Sequence, residues 1–172
     1  IGTGIGTGVV LEGRVLYGQH CRAGALGGHL IVDYKGRQCS CGNIGCVEAH
    51  ASSFFLPQIV RDNKRLNREF AMDTVNYDFK NLFTQVSAGV ADAKLVIEDC
   101  ISVWSAAIVN YIHAYDPQIV ILGGGIMKSG NLILPYIRER VNALAWYPNE
   151  KVEIVASSLG DNAALVAAEY YF

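Results

Sequence analysis

Three cysteines within eight residues, Cys39-Ser-Cys41-Gly-Asn-Ile-Gly-Cys46, constrain this chain more than any other feature. His29 stands ten residues before the first of them. Buried free thiols are common core residues. These three, however, occupy a polar, glycine-interrupted stretch that makes a poor core. Zinc takes four nitrogen or sulfur ligands in a tetrahedron, at about 2.0 to 2.3 Å. Gly42 and Gly45 allow the backbone to bend tightly enough to aim the thiolates at one point. His29, Cys39, Cys41 and Cys46 are therefore expected to bind one zinc ion. With four protein ligands the site is closed and structural, so the metal does not activate water. The chain has five cysteines, an odd number, and their clustering argues against the disulfide framework of a secreted domain.

The 172 residues carry 51% hydrophobic and 17% charged side chains, enough to build one sizeable core. A net charge of −2 offers no electrostatic grip on nucleic acid or on an anionic membrane. The charged run Arg61, Asp62, Lys64, Arg65, Arg68 and Glu69 reads as a solvated helix or loop. No apolar run is read as a membrane span and no segment resembles a signal peptide, so a cytoplasmic location is expected. The chain lacks an initiating Met and opens as if inside a strand, which reads as part of a longer protein.

Glu12-Gly13 joins two apolar runs and predicts a hairpin. A short strand is predicted over 30–33, and helical signal begins near Glu48. A long helix is expected over 91–114, where Val96, Cys100, Val103, Trp104, Ala107, Ile108 and Tyr111 recur at helical spacing. Asp116-Pro117 stops it. A buried parallel strand over 118–122, a helix over 132–143, a strand over 152–156 and a final helix running to Tyr170 complete an α/β pattern.

Two glycine-rich segments are candidates for phosphate contact. In Gly2-Thr3-Gly4-Ile5-Gly6-Thr7-Gly8 the alternate glycines allow backbone N–H groups near an anion, and Thr3 and Thr7 add hydroxyls. It is neither a Walker loop nor a dinucleotide fingerprint, because a hairpin follows it. A strand edge with small residues for close packing is the alternative use. Ile119 to Leu122 run into Gly123-Gly124-Gly125, where α/β proteins place nucleotides. Glu48, two residues past Cys46, either accepts sugar hydroxyls or satisfies free N–H groups at a helix start. Cys21, Cys100, His20, His50 and His113 are read as structural.

The order of these motifs resembles the ROK family of bacterial sugar kinases and sugar-responsive repressors. The segment Cys39-Ser-Cys41-Gly-Asn-Ile-Gly-Cys46-Val-Glu48 is its most specific part, and the likeness covers nearly the whole chain, so that residues 1–172 read as one lobe. It implies the C-terminal lobe of an actin/hexokinase-like, ribonuclease-H-type kinase: a mixed sheet flanked by helices, bearing a zinc knuckle. The family reaction moves the γ-phosphate of ATP-Mg to a hexose hydroxyl. By resemblance, Gly2, Thr3, Gly4, Gly6 and Thr7 face the phosphates, and Gly123, Gly124 and Gly125 lie near the adenosine. Gly28, His29 and Glu48 meet the sugar, the histidine binding zinc through its other ring nitrogen.

The family's catalytic-base aspartate belongs to a preceding lobe, so this stretch by itself is expected to be inactive. Leu26 stands where the family usually has a sugar-binding glutamate. That replacement fits an effector-binding repressor lobe somewhat better than a kinase. The apolar face of the long helix exceeds what one lobe buries at first sight, which admits a homodimer.

Overall fold

The helix predicted over 91–114 organises the chain. In the computed structural model, which describes residues 1–72, 77–147 and 151–168, it is α5, Ala91–Tyr115. Its buried side chains Ala93, Val96, Ile97, Cys100, Ile101, Trp104, Ala107, Ile108 and Ile112 recur at three- and four-residue intervals. They face three neighbours: α1, Val47–Ala51; α4, Phe79–Ser87; and α6, Gly130–Leu144. The carboxylate of Asp78 caps α4 by accepting the Asn81 N–H. On α6, Ile133, Ile137 and Val141 form a single buried row. The apolar stripe that admits a homodimer in the sequence thus finds partners within the chain.

By length and composition α5 could cross a membrane, contrary to the expectation that no run would qualify. Half of its most apolar window is buried among the helices just named. Short helices α2, Leu56–Asp62, and α3, Arg68–Met72, lie between α1 and α4. Pro57 sits in the first turn of α2, where a missing N–H costs nothing.

Strands β1, Val10–Leu11, and β2, Arg14–Val15, form the predicted hairpin. Glu12 and Gly13 both take positive φ, the conformation of a type I′ turn. Strands β3, Ile119–Leu122, and β4, Glu153–Ala156, pair in parallel as expected. Among the described residues these are two separate two-stranded sheets rather than one mixed sheet. Between them lies a cleft of about 510 Å³, with Val9, Val10 and Leu11 on one side and Ile119, Ile121 and Leu122 on the other.

The cleft overturns the reading of β3 as a buried strand. With β4 on only one flank, Ile119 and Ile121 remain 41% and 61% exposed. No strand forms over 30–33 either. The chain there makes one bridge, Ile31 to Cys46, because its backbone partners belong to the cysteine loop. The last helix, α7, is described over Ala163–Ala168, and its predicted continuation to Tyr170 lies outside the described residues.

Trp104 ties the central helix to α1. It is 2% exposed, and its indole N–H donates to Ala51 O at 2.9 Å. Trp104→Phe leaves that carbonyl without its donor and opens a small void. A loss of about 1 to 3 kcal/mol in urea denaturation is the expected outcome.

Candidate metal centre and glycine loop

The cysteine loop is shaped by its backbone. Cys39 N–H donates to Asn43 O, Gly42 N–H to Cys39 O, and Gly45 N–H to Arg37 O. Gly45 takes φ +81°, and a Cβ there would stand 1.6 Å from Asp33 O. Only glycine fits. A single 3-10 turn, Gly27–His29, carries the histidine to the same point.

The four ligand atoms all lie within 4.8 Å of one another. Cys41 Sγ stands 3.7 Å from Cys46 Sγ, and Cys39 Sγ stands 3.7 Å from His29 Nδ1. A zinc tetrahedron with thiolate bonds of about 2.3 Å has edges near 3.8 Å, so the donor set fits zinc. Nδ1 is the nitrogen turned to the thiols. Nε2 has no hydrogen-bond partner among the described residues.

The thiols are unequal. Burial and the neighbouring cysteines push Cys46 up to about 12. Backbone hydrogen bonding at Asn43 holds the exposed Cys41 below its ordinary value. A cation among them removes the repulsion that raises Cys46.

Glu48 stands on the first turn of α1, immediately after the loop. Its Oε2 accepts the Ile5 N–H at 2.8 Å, so it satisfies the glycine loop rather than its own helix. Next to it, Gly28 lies flat against that loop, where a Cβ would come within 1.8 Å of Ile5 O. Gly4 likewise leaves room for the Glu48 carboxylate. Packing therefore accounts for Gly4 and Gly28.

Thr7 is equally committed, since its hydroxyl donates to Gly24 O and accepts the Gly27 N–H. Its one proton is used, which leaves Thr3 as the hydroxyl donor that this loop can offer to a phosphate. Thr3 and Gly6 are exposed, and Gly2 is half-buried. The two glycine-rich segments meet: the Ile1 nitrogen donates to Gly123 O at 2.6 Å, and Gly124 takes φ +90° against Ile1 O. Gly125 opens the next turn with space around it. Leu26 precedes the His29 turn and is 47% exposed.

Sequence reasoning passed over Arg37. Its guanidinium reaches Ala49 O and Asp62, and its backbone N–H donates to His50 Nε2. A lone arginine in a polar loop has no periodicity to single it out. His113 similarly accepts the Trp146 N–H, and Cys100 is buried in α5 with its thiol pushed far up by desolvation.

The sequence pattern of the ROK family matches residues 1–172. The chain belongs to the ROK family. It is 33% identical to a glucokinase of Thermotoga maritima over 98% of this chain and 55% of that protein. It is 30% identical to the xylose repressor of Bacillus subtilis over 95% of this chain and 40% of that one. The ROK hexokinase of Thermus thermophilus superimposes with a TM-score of 0.76 at 29% identity, covering 98% of this chain and 53% of the other. The mixed α/β fold is thus that of ROK sugar kinases, and the chain spans about half the length of the relatives it matches.

Two outcomes test this ROK site. Cys41→Ser, which removes one donor, is expected to reduce bound zinc in elemental analysis and to lower Tm. His50 accepts a proton less readily than its ordinary value of 6.5, because burial and then Arg37 disfavour the cation. The unfolded chain binds that proton more readily. The His50 contribution is therefore intact above pH 6.5 and lost as pH falls below it. Urea denaturation across this range should show the wild type losing stability relative to His50→Gln, which does not titrate.

Proposed function

We propose that this chain is the zinc-bearing, ribonuclease-H-type C-terminal lobe of an ATP-dependent sugar kinase that phosphorylates a hexose hydroxyl. The observation that carries the reading is the convergence of His29, Glu48 and the glycine loop on one another. Zinc, held by His29, Cys39, Cys41 and Cys46, supplies folding energy and fixes the imidazole. The chain's own residues do the rest. Glu48 Oε1 has no partner among the described residues and is available to a sugar hydroxyl, while Oε2 holds Ile5. His29 Nε2 offers a second polar contact, and Gly28 keeps the turn close to the loop.

The meeting of the glycine loop with Gly123 to Gly125 supports ATP-Mg on that side, through backbone N–H groups. A general base must reach the attacking hydroxyl. We assign none within these residues and place it in a preceding lobe.

A second reading is the effector-binding lobe of a sugar-responsive repressor, with the DNA-reading helices upstream. Two observations favour it: Leu26 presents an apolar side chain near the histidine, and the Thr7 hydroxyl is committed to backbone. A cytoplasmic location accompanies either reading.

Calorimetric titration of the full-length protein with ATP-Mg, a hexose panel and xylose decides between them. Turnover of a hexose with ATP-Mg supports the kinase, and sugar binding without ATP-Mg binding supports the repressor. Glu48→Gln should weaken hexose binding by about 1.5 to 3 kcal/mol, the worth of a charged hydrogen bond. Unchanged affinity would remove Glu48 from the sugar site.

A further inference from the structure

Helix α1 is five residues long, too short to hold its own direction in water. Yet it carries Glu48, and its N-cap is the ligand Cys46. Arg37 meets this helix at Ala49, the residue after Glu48. Its side chain is 14% exposed. Nη1 donates to Ala49 O at 3.2 Å, one of the helix-end carbonyls that lack intrahelical partners. Nη2 pairs with Asp62 at 3.3 Å, at the end of α2. The backbone of the same residue works in the opposite direction. Its N–H donates to His50 Nε2 at 3.1 Å, and its carbonyl accepts the Gly45 N–H at 2.8 Å. The His50 ring lies directly against Gly36, where a Cβ would come within 2.2 Å of Nε2.

One residue therefore joins the strand of loop leading to Cys39, the turn leading to Cys46, α1 and α2. We propose that Arg37 and His50 form a positioning clamp that locks the cysteine loop onto α1 and thereby sets the orientation of Glu48. Neither residue touches substrate or metal. The inference rests on the metal-centre reading above and extends it to two residues that no ligand pattern identifies.

The test is zinc release from the full-length, zinc-loaded protein into excess chelator, followed with a chromogenic indicator well below the melting temperature. The variants are Arg37→Ala, His50→Leu and His50→Gln, with Ile133→Val as a destabilised core control remote from the loop. Arg37→Ala and His50→Leu are expected to release zinc on the order of ten-fold faster than wild type, the usual effect of losing an outer partner of a metal site. His50→Gln, whose amide oxygen can accept the Arg37 N–H, should stay near the native rate, as should Ile133→Val.

Release from Arg37→Ala and His50→Leu no faster than from the core control overturns the clamp. Equal acceleration by His50→Gln and His50→Leu overturns the role of the hydrogen bond. If Arg37→Ala does not fold, the His50 pair carries the same comparison. Hexose titration of zinc-saturated Arg37→Ala reads the second half: affinity should fall several-fold, and unchanged affinity separates the clamp from Glu48. Absence of zinc from the wild type in elemental analysis overturns the metal-centre reading itself, a failure distinct from the others.

Discussion

Three thiols and an imidazole brought within 4.8 Å of one another form an arrangement that a cation stabilises and its absence penalises. Without one, the buried Cys46 is driven to hold its proton, and the loop around it has little apolar burial of its own. With one, the same atoms become a cross-link between the His29 turn, the cysteine loop and α1. Two of the residues that meet the glycine loop are attached to that cross-link: Gly28 through the turn, and Glu48 through the helix that starts at Cys46.

The second constraint is steric. The glycine loop and the His29 turn lie so close that Gly28 cannot carry a Cβ, and Glu48 fills the space left by Gly4. Glycine in a loop of this kind has two uses, approach of a ligand or approach of another backbone. Gly4 and Gly28 serve the second. Thr7 follows them, since its hydroxyl ties the loop to the backbone of Gly24 and Gly27. What remains for an anion is main-chain N–H groups and the exposed Thr3, and the neighbouring Gly123 to Gly125 segment presses on the same loop through Ile1. Membership of a family that contains both glucokinases and xylose repressors agrees with such a site.

Local signals read well where one element satisfies itself. The long helix, the Glu12-Gly13 hairpin turn and the stop at Asp116 follow from periodicity and turn chemistry that act over a few residues. They read poorly where the partner is remote. The run over 30–33 has strand composition, but the cysteine loop takes most of its backbone bonds. The run over 119–122 has the composition of a buried strand, yet burial on both flanks depends on neighbours, and only one flank has a partner among the described residues.

The cysteine spacing, the intervening glycines and the upstream histidine determined by themselves that these four residues could converge, because ligand geometry leaves a short loop few other uses for three thiols. Tertiary structure alone decided what they converge beside. Glu48 finds Ile5 across 43 residues, and Trp104 finds Ala51 across 53. Arg37 needs Asp62 and Ala49 at once. None of these pairs shares a period or a motif. Each exists because the fold brings groups distant in sequence within about 3 Å, the reach of a hydrogen bond, and a hydrogen bond carries no trace of itself in sequence spacing.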